Sequence, residues 1–333
     1  MAILPVAIGL MAVSALVVFW ITPRLIKHLK ARGLVGKDMN KLGRPEVAEM
    51  GGIAVLLGFI AAMLVSIFFH SYLKTPEGLS LVSILGAFLT VAVIGLIGVI
   101  DDLIGWKKGI RQWQHALFPL FAALPLMALS IGQTTMGIPL LGDVELGILY
   151  SLIIIPIGIT CAANASNMLA GLNGLEAGLG AIISATILAI ALLSGKTEAA
   201  IITASLLGAL LAFLYFNWHP ARIFPGDSLT LAIGAAVASA VIVGDLEKYG
   251  VMLFGLYFIE LAIKAKHKFQ SQCFGIPQKD GTLKADPRGG SLTQWIMRRG
   301  RFTEKQVVII LLAIQAIIAL IVLAAFLTNP RGS

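Results

Sequence analysis

The sequence predicts an all-α integral membrane protein of about ten transmembrane helices, with both termini on the non-cytoplasmic side. Three observations carry this. The chain is 58% hydrophobic and 13% charged over 333 residues, with a mean hydropathy of +0.92, which leaves too little polar surface for a soluble domain of that size. Its apolar residues fall in ten long continuous runs, each near the roughly 20 residues that cross a bilayer as a helix; barrel strands would alternate with period two instead. Lys and Arg, finally, gather on one side of those runs.

The runs cover about 3–23, 51–70, 81–100, 113–132, 147–164, 178–194, 199–216, 228–244, 250–266 and 306–327. No positive charge precedes the first and Arg24 follows it, so it reads as a retained span rather than a cleaved signal. Loops after the odd-numbered spans hold 21 of the 25 Lys and Arg residues; the other side holds Lys74, Lys196, Lys248 and Arg331. The positive-inside rule places the basic loops in the cytoplasm. They cover about 24–50, 101–112, 164–177, 217–227 and 267–305. No polar stretch is long enough to fold alone, so 1–333 reads as a single domain. The net charge of +8 then follows from topology and is no nucleic-acid footprint, although part of it could serve anionic lipid or phosphate ligands. Cys161 and Cys273 both fall on the cytoplasmic side, where no disulfide is expected.

Unusual polar chemistry concentrates in four of these loops. In "GKDMNKLGRPEVAEMGG" (36–52), Asp38, Asn40, Lys41, Glu46 and Glu49 precede the second span; composition alone also allows a solvated interfacial loop. In "GVIDDLIGWKKGIRQWQHALFP" (98–119), Asp101 and Asp102 end an apolar span, where the helix dipole prefers positive charge. Adjacent helical side chains point about 100° apart, so two different roles suit the pair better than one shared metal. In "NASNMLAGLNGLEAGLG" (164–180), Asn164 and Asn167 share a helix face at i, i+3. Small-residue packing explains the glycines there, but not three asparagines beside Glu176. In "NWHPARIFPGDSLTLAIG" (217–234), two prolines and Gly226 impose an irregular turn before Asp227; read alone, Asp227 is a helix N-cap. The chain holds no Walker loop, HExxH, CxxC, GxSxG or Rossmann fingerprint, and its five histidines lack metal spacing. The carboxylates and amides that remain are hard oxygen ligands of the kind that suit Mg2+ and substrate phosphates.

Together these loops resemble the polyprenyl-phosphate N-acetylhexosamine-1-phosphate transferases, and most closely their archaeal and eukaryotic UDP-GlcNAc:dolichyl-phosphate GlcNAc-1-phosphate transferase branch. "NASNMLAGLNGLEAG" is the most specific match. "DMNKLGRPEVAEMGG", "GVIDDLIG", "VELGILY" and "NWHPARIFPGDSLTLAIG" fit in order and spacing along essentially the whole chain. The resemblance implies a multi-pass enzyme of the cell membrane whose active site faces the cytoplasm. It would transfer N-acetylglucosamine-1-phosphate from UDP-GlcNAc to a polyprenyl (dolichyl) phosphate, giving GlcNAc-diphospho-lipid and UMP, the first step of lipid-linked oligosaccharide assembly for N-glycosylation. It implies Mg2+, with Mn2+ as a substitute, held by Asn167 and Asp227, and catalytic roles for Asp101 and Asp102. Uridine contacts match Met39, Gly171 and Asn173, with Glu49 near the ribose. Asn164 is expected to face the metal and diphosphate, and Lys41 and Glu176 join the substrate contacts.

Two departures stand out. A family lysine four residues before a proline falls on His115, with Lys107, Lys108 and Arg111 as alternatives. A basic Arg-His-Arg cluster of the eukaryotic last loop is missing; Lys266, His267 and Lys268 lie just upstream and Arg288 downstream, and Lys268 is the candidate substrate contact. Partners implied are UDP-GlcNAc, the lipid phosphate and the bilayer, with no nucleic acid and with a homodimer left open. The same reaction with another UDP-N-acetylhexosamine or with undecaprenyl phosphate is the alternative. A transporter is the alternative from another class, but transporters place polar groups near the bilayer midplane, whereas these clusters sit at one face.

Overall fold

A computed structural model of the chain describes residues 3–108, 112–129, 134–138 and 142–328. Helix α1 (Ile3–Ala31) continues past its apolar run and leads into a hairpin of β1 (Val35–Lys37) and β2 (Glu46–Ala48). Helices α2 (Gly52–Leu73) and α3 (Leu81–Lys108) follow. The fourth run is divided into α4 (Gln112–Ala122) and α5 (Leu124–Ala128) just before Pro125, which cannot supply the next helical N–H. A second hairpin, β3 (Thr135–Ile138) with β4 (Gly142–Glu145), precedes α6 (Tyr150–Met168), whose first turn is a π-helix. Then come α7 (Leu175–Ser194), α8 (Thr197–Asn217) and α9 (Asp227–Val243). The ninth run is broken at Phe254 into α10 (Glu247–Leu253) and α11 (Gly255–Lys266). A three-stranded sheet of β5 (Ile276–Pro277), β6 (Thr282–Lys284) and β7 (Phe302–Thr303) encloses α12 (Leu292–Met297) in sequence, and α13 (Glu304–Thr328) ends the described chain.

Among the described residues, seven helices are long and apolar enough to cross a membrane: α1, α2, α3, α6, α7, α8 and α13. Where described, each of the ten apolar runs falls mainly on helix, but α9 is 17 residues long and two runs are interrupted. The short strands were not part of the all-α expectation. They occur in the loops between helices, where antiparallel pairing satisfies backbone groups that no helix takes up.

The core sits in α7, α8 and α9. In an 18-residue apolar stretch of each membrane-length span, 78% of residues lie buried in α8 and 67% in α7, against 22% in α1. Helix α9 is buried continuously from Ser228 to Ile242 and packs on α2, α3, α6 and α8. Rim helices turn Leu16, Trp20, Leu320 and Ile321 outward, as hydrocarbon contact allows. Small residues let the central helices close up. A Cβ on Gly98 of α3 would stand 2.6 Å from the Ser228 Cα, so α3 crosses the first turn of α9 at van der Waals distance. That crossing positions the site.

Candidate active site

The polar loops converge at one end of the bundle. Residues 46–52 run alongside 223–226. Phe224 N donates to Ala48 O at 2.7 Å, Gly51 N to Phe224 O at 2.8 Å and Gly52 N to Pro225 O at 2.8 Å. This places Glu49 beside Asp227. Asn217 fastens the next loop: its Oδ1 accepts from Gly174 N at 3.1 Å and its Nδ2 donates to Ile223 O at 2.9 Å. Asn173 Nδ2 donates to Asp38 Oδ2 at 3.1 Å, and Asn40 Nδ2 to Gly171 O at 3.0 Å. All but the Asn217–Ile223 bond join loops far apart in sequence, and they satisfy polar groups that burial would otherwise strand.

Between the loops lies a cavity of about 260 Å³. Asp38, Met39 and Glu49 form one wall, Asn167, Gly171, Asn173 and Glu176 another, and Asp227 a third. Gly171 has φ +109°, and a Cβ there would meet the Phe274 ring at 2.6 Å, so the position requires glycine. The Gly171 N–H donates to Glu176 Oε1 at 2.6 Å. The other Glu176 oxygen is buried without a hydrogen-bond partner among the described residues. Burial, and secondarily the Asp227 carboxylate, hold the Glu49 carboxyl above the usual range. Burial opposes the charge on Lys41, but its hydrogen bonds to Asp38 and Glu304 prevail and raise its pKa.

The first turn of α9 is capped from outside the helix. Its N-cap is Gly226, which offers no side chain. Asp102 supplies the cap from α3 instead: its Oδ1 accepts from Asp227 N at 2.7 Å and its Oδ2 from Ser228 N at 3.1 Å. Asp102 reaches this place because it lies one turn beyond Gly98, at the α3–α9 crossing. Asp227 is therefore not its own helix's cap, and its residue lines the cavity. A capping role for Asp102 has a testable consequence. Asparagine caps helices about as well as aspartate, and loss of a cap costs about 1 kcal/mol. Here both Asp102 oxygens accept, so Asp102→Asn keeps one acceptor but sets its NH2 against the second amide, and it should lower thermal stability and activity together, by less than Asp102→Ala does. Equal inactivation by the two substitutions, with stability unchanged, would point to a proton-transfer role.

The remaining sequence candidates are placed differently. Asp101 is buried and does not line the cavity. Asn164 Nδ2 donates to Thr160 O at 2.9 Å, and the residue lines a second cavity on the other side of α6. Lys41 lies behind the wall, 2.7 Å from both Asp38 Oδ2 and Glu304 Oε2. Lys268 is exposed just past α11, away from the cavity lining. His115 lies on α4, but its side chain falls outside the described residues, as do those of Lys107 and Lys108 and all of Arg111.

Sequence reasoning missed Glu304. This buried first-turn residue of α13 accepts from Asn173 N at 2.8 Å and Lys41 at 2.7 Å, and meets His219 Nδ1 at 3.2 Å and Asn40 Nδ2 at 3.5 Å. An acidic residue in a first helical turn is ordinary dipole complementarity, so nothing local distinguished it. Phe224, Phe274 and Lys37 also line the cavity unannounced.

No group of three or more His, Cys, Asp or Glu able to hold a metal exists among the described residues. Asn167 and Asp227 do face one cavity, beside Glu49 and the unpartnered Glu176 oxygen. Few, hard oxygen donors fit Mg2+, which keeps waters and takes ligands from substrate phosphates. The second cavity measures about 350 Å³ and runs between α6, α9, α10 and α11. Its walls are almost wholly apolar, with Asn164 and Met168 towards the C-terminal end of α6 and the hydrogen-bonded Tyr150–Glu247 pair at the other.

The glycosyl transferase family 4 profile matches residues 84–245. The chain is 39% identical over 308 residues to a protein of Sulfolobus acidocaldarius named as a candidate UDP-N-acetylglucosamine–dolichyl-phosphate N-acetylglucosaminephosphotransferase, covering 90% of each. It is 27% identical to the Schizosaccharomyces pombe UDP-N-acetylglucosamine–dolichyl-phosphate N-acetylglucosaminephosphotransferase, over 79% of this chain and 67% of that one. It is 32% identical to a Limosilactobacillus reuteri phospho-N-acetylmuramoyl-pentapeptide-transferase, over 74% of this chain and 77% of that one.

Proposed function

We propose, from the premise that this chain belongs to glycosyl transferase family 4, that it transfers N-acetylglucosamine-1-phosphate from UDP-GlcNAc to a dolichyl-type polyprenyl phosphate and releases UMP. One observation carries the reading: three loops distant in sequence place Asn167, Asp227, Gly171, Asn173 and Glu49 around one cavity, with an apolar cavity on the other side of α6. Uridine would lie on the Gly171–Asn173 backbone, and the lipid chain would occupy the apolar cavity with its phosphate near the end of α6.

An oxygen of the lipid phosphate attacks the β-phosphorus of the donor. A new P–O bond forms the lipid diphosphate, and the bond to the α-phosphate oxygen breaks, its electron pair leaving with UMP. A phosphate monoester is already anionic near pH 7, so the attack needs little help from a base. Asp102 keeps the first turn of α9 in place and so orients Asp227. Asn167 and Asp227 would hold Mg2+, which when bound neutralises charge on the diphosphate. We place ten spans in the cell membrane, both termini outside and the cavity at the cytoplasmic face, on the distribution of Lys and Arg.

Purified protein in detergent, given UDP-GlcNAc, dolichyl phosphate and Mg2+, should release UMP, and a chelator should stop it. The similarity to a muramoyl-pentapeptide transferase supports a second reading, the same reaction with another UDP-N-acetylhexosamine or undecaprenyl phosphate. Parallel assays with each donor and lipid separate the two. Absence of UMP with every combination overturns the enzyme reading in favour of transport.

A further inference from the structure

We infer that Lys37 is the side chain that meets the diphosphate of the nucleotide donor, an inference that rests on the nucleotide-sugar reading above. The cavity is strongly acidic: Asp38, Glu49, Glu176 and Asp227 line it, and Lys37 is the one cation among its described lining residues. A diphosphate entering such a space adds anions to anions. Desolvated charge of one sign is tolerated only when opposite charge accompanies it, and a lysine serves phosphate as a point charge.

Of the other nearby lysines, two are engaged elsewhere and one lies off the cavity. Lys41 is held by Asp38 and Glu304, both at 2.7 Å. Lys264 hydrogen-bonds to Met168 O and lies 3.6 Å from Glu260. Lys268 lies off the lining. Lys37, unlike all three, lines the cavity. It ends β1, its cross-strand neighbour is Glu46, and yet it makes no ion pair among the described residues. The next residue, Asp38, is tied to Asn173 and Lys41, so the lysine stem leaves a fixed backbone, and Lys37, exposed, borders both the cavity and a depression beside Glu46. The bland alternative is a solvated hairpin lysine opposite Glu46, whose removal would change nothing.

Binding of UDP and of uridine to the full chain in detergent, at fixed Mg2+, distinguishes these. A charge-assisted hydrogen bond to an anion is worth enough that Lys37→Gln should weaken UDP binding roughly tenfold while leaving uridine binding unchanged. Lys37→Arg, which keeps the charge, should restore most of the UDP affinity. An unchanged UDP affinity in Lys37→Gln overturns the inference, and so does an equal loss for uridine and UDP, which would report a damaged nucleoside shelf. If the unaltered protein binds no UDP, the nucleotide-sugar reading itself fails, and the assignment of Lys37 with it.

Discussion

Asp227→Asn should abolish sugar-phosphate transfer and leave the protein folded. The substitution exchanges the one carboxylate among the two protein ligands proposed for Mg2+ for a neutral amide, leaving the ion no anionic protein ligand there. Loss of groups that merely orient a metal ligand already costs about 10–100-fold, so stripping the charge from a ligand itself should lower UMP release on the order of a hundredfold or more. The fold should survive because the cap of α9 comes from Asp102, which accepts from the Asp227 and Ser228 amides. Those amides belong to the backbone and persist in the variant. The substitution also removes the charge that helps to raise the Glu49 carboxyl, so a like-charge repulsion is relieved. Thermal unfolding in detergent and the rate of UMP release measure the two halves independently. A folded variant that keeps more than a tenth of the rate would remove Asp227 from the metal site. A strongly destabilised one would mean that Asp227 holds the helix after all.

Glu304→Ala should lower both stability and nucleotide affinity. Its carboxylate is 3% exposed and serves Asn173 N, Lys41 and His219, with Asn40 at the edge of bonding distance. Breaking a buried ion pair typically costs 3–5 kcal/mol. Lys41 keeps Asp38 and is 22% exposed, so a loss of about 2–3 kcal/mol is expected here. Asn173 loses the acceptor that fixes its backbone, and the uridine shelf loosens with it. Glu304→Gln retains an acceptor for Asn173 and should recover UDP binding better than it recovers stability. Chemical or thermal unfolding together with UDP titration checks both variants. If Glu304→Ala melts like the unaltered protein and binds UDP equally well, Glu304 is no keystone of the loops.

Much of the site was readable one loop at a time. Amides and a carboxylate between apolar runs marked 164–176 as chemical, and Asn167, Gly171, Asn173 and Glu176 all line the cavity. Asn164, which shares a helix face with Asn167 by spacing, turns out to face the apolar cavity instead. Spacing could not decide this, because the π-turn that opens α6 and the packing of α9 set the rotation of the helix. The carboxylate pair was readable as a pair, but not the division within it. Only the close crossing at Gly98 shows that Asp102 serves α9.

What the sequence by itself determined is the class of protein, the position of its apolar runs and the loops that carry its chemistry. These depend on local quantities: hydropathy over a span, charge beside it, residue types within a short loop. Only the tertiary structure decided which loops meet, that Glu304 ties three of them together, that Asp102 rather than Asp227 caps α9, and that Lys37 rather than Lys41 faces the cavity. Those outcomes rest on single hydrogen bonds and close contacts between residues more than a hundred positions apart, such as Asn173 with Asp38 and with Glu304. Such contacts impose no periodicity on the chain, so nothing in the order of residues announces them before the helices pack.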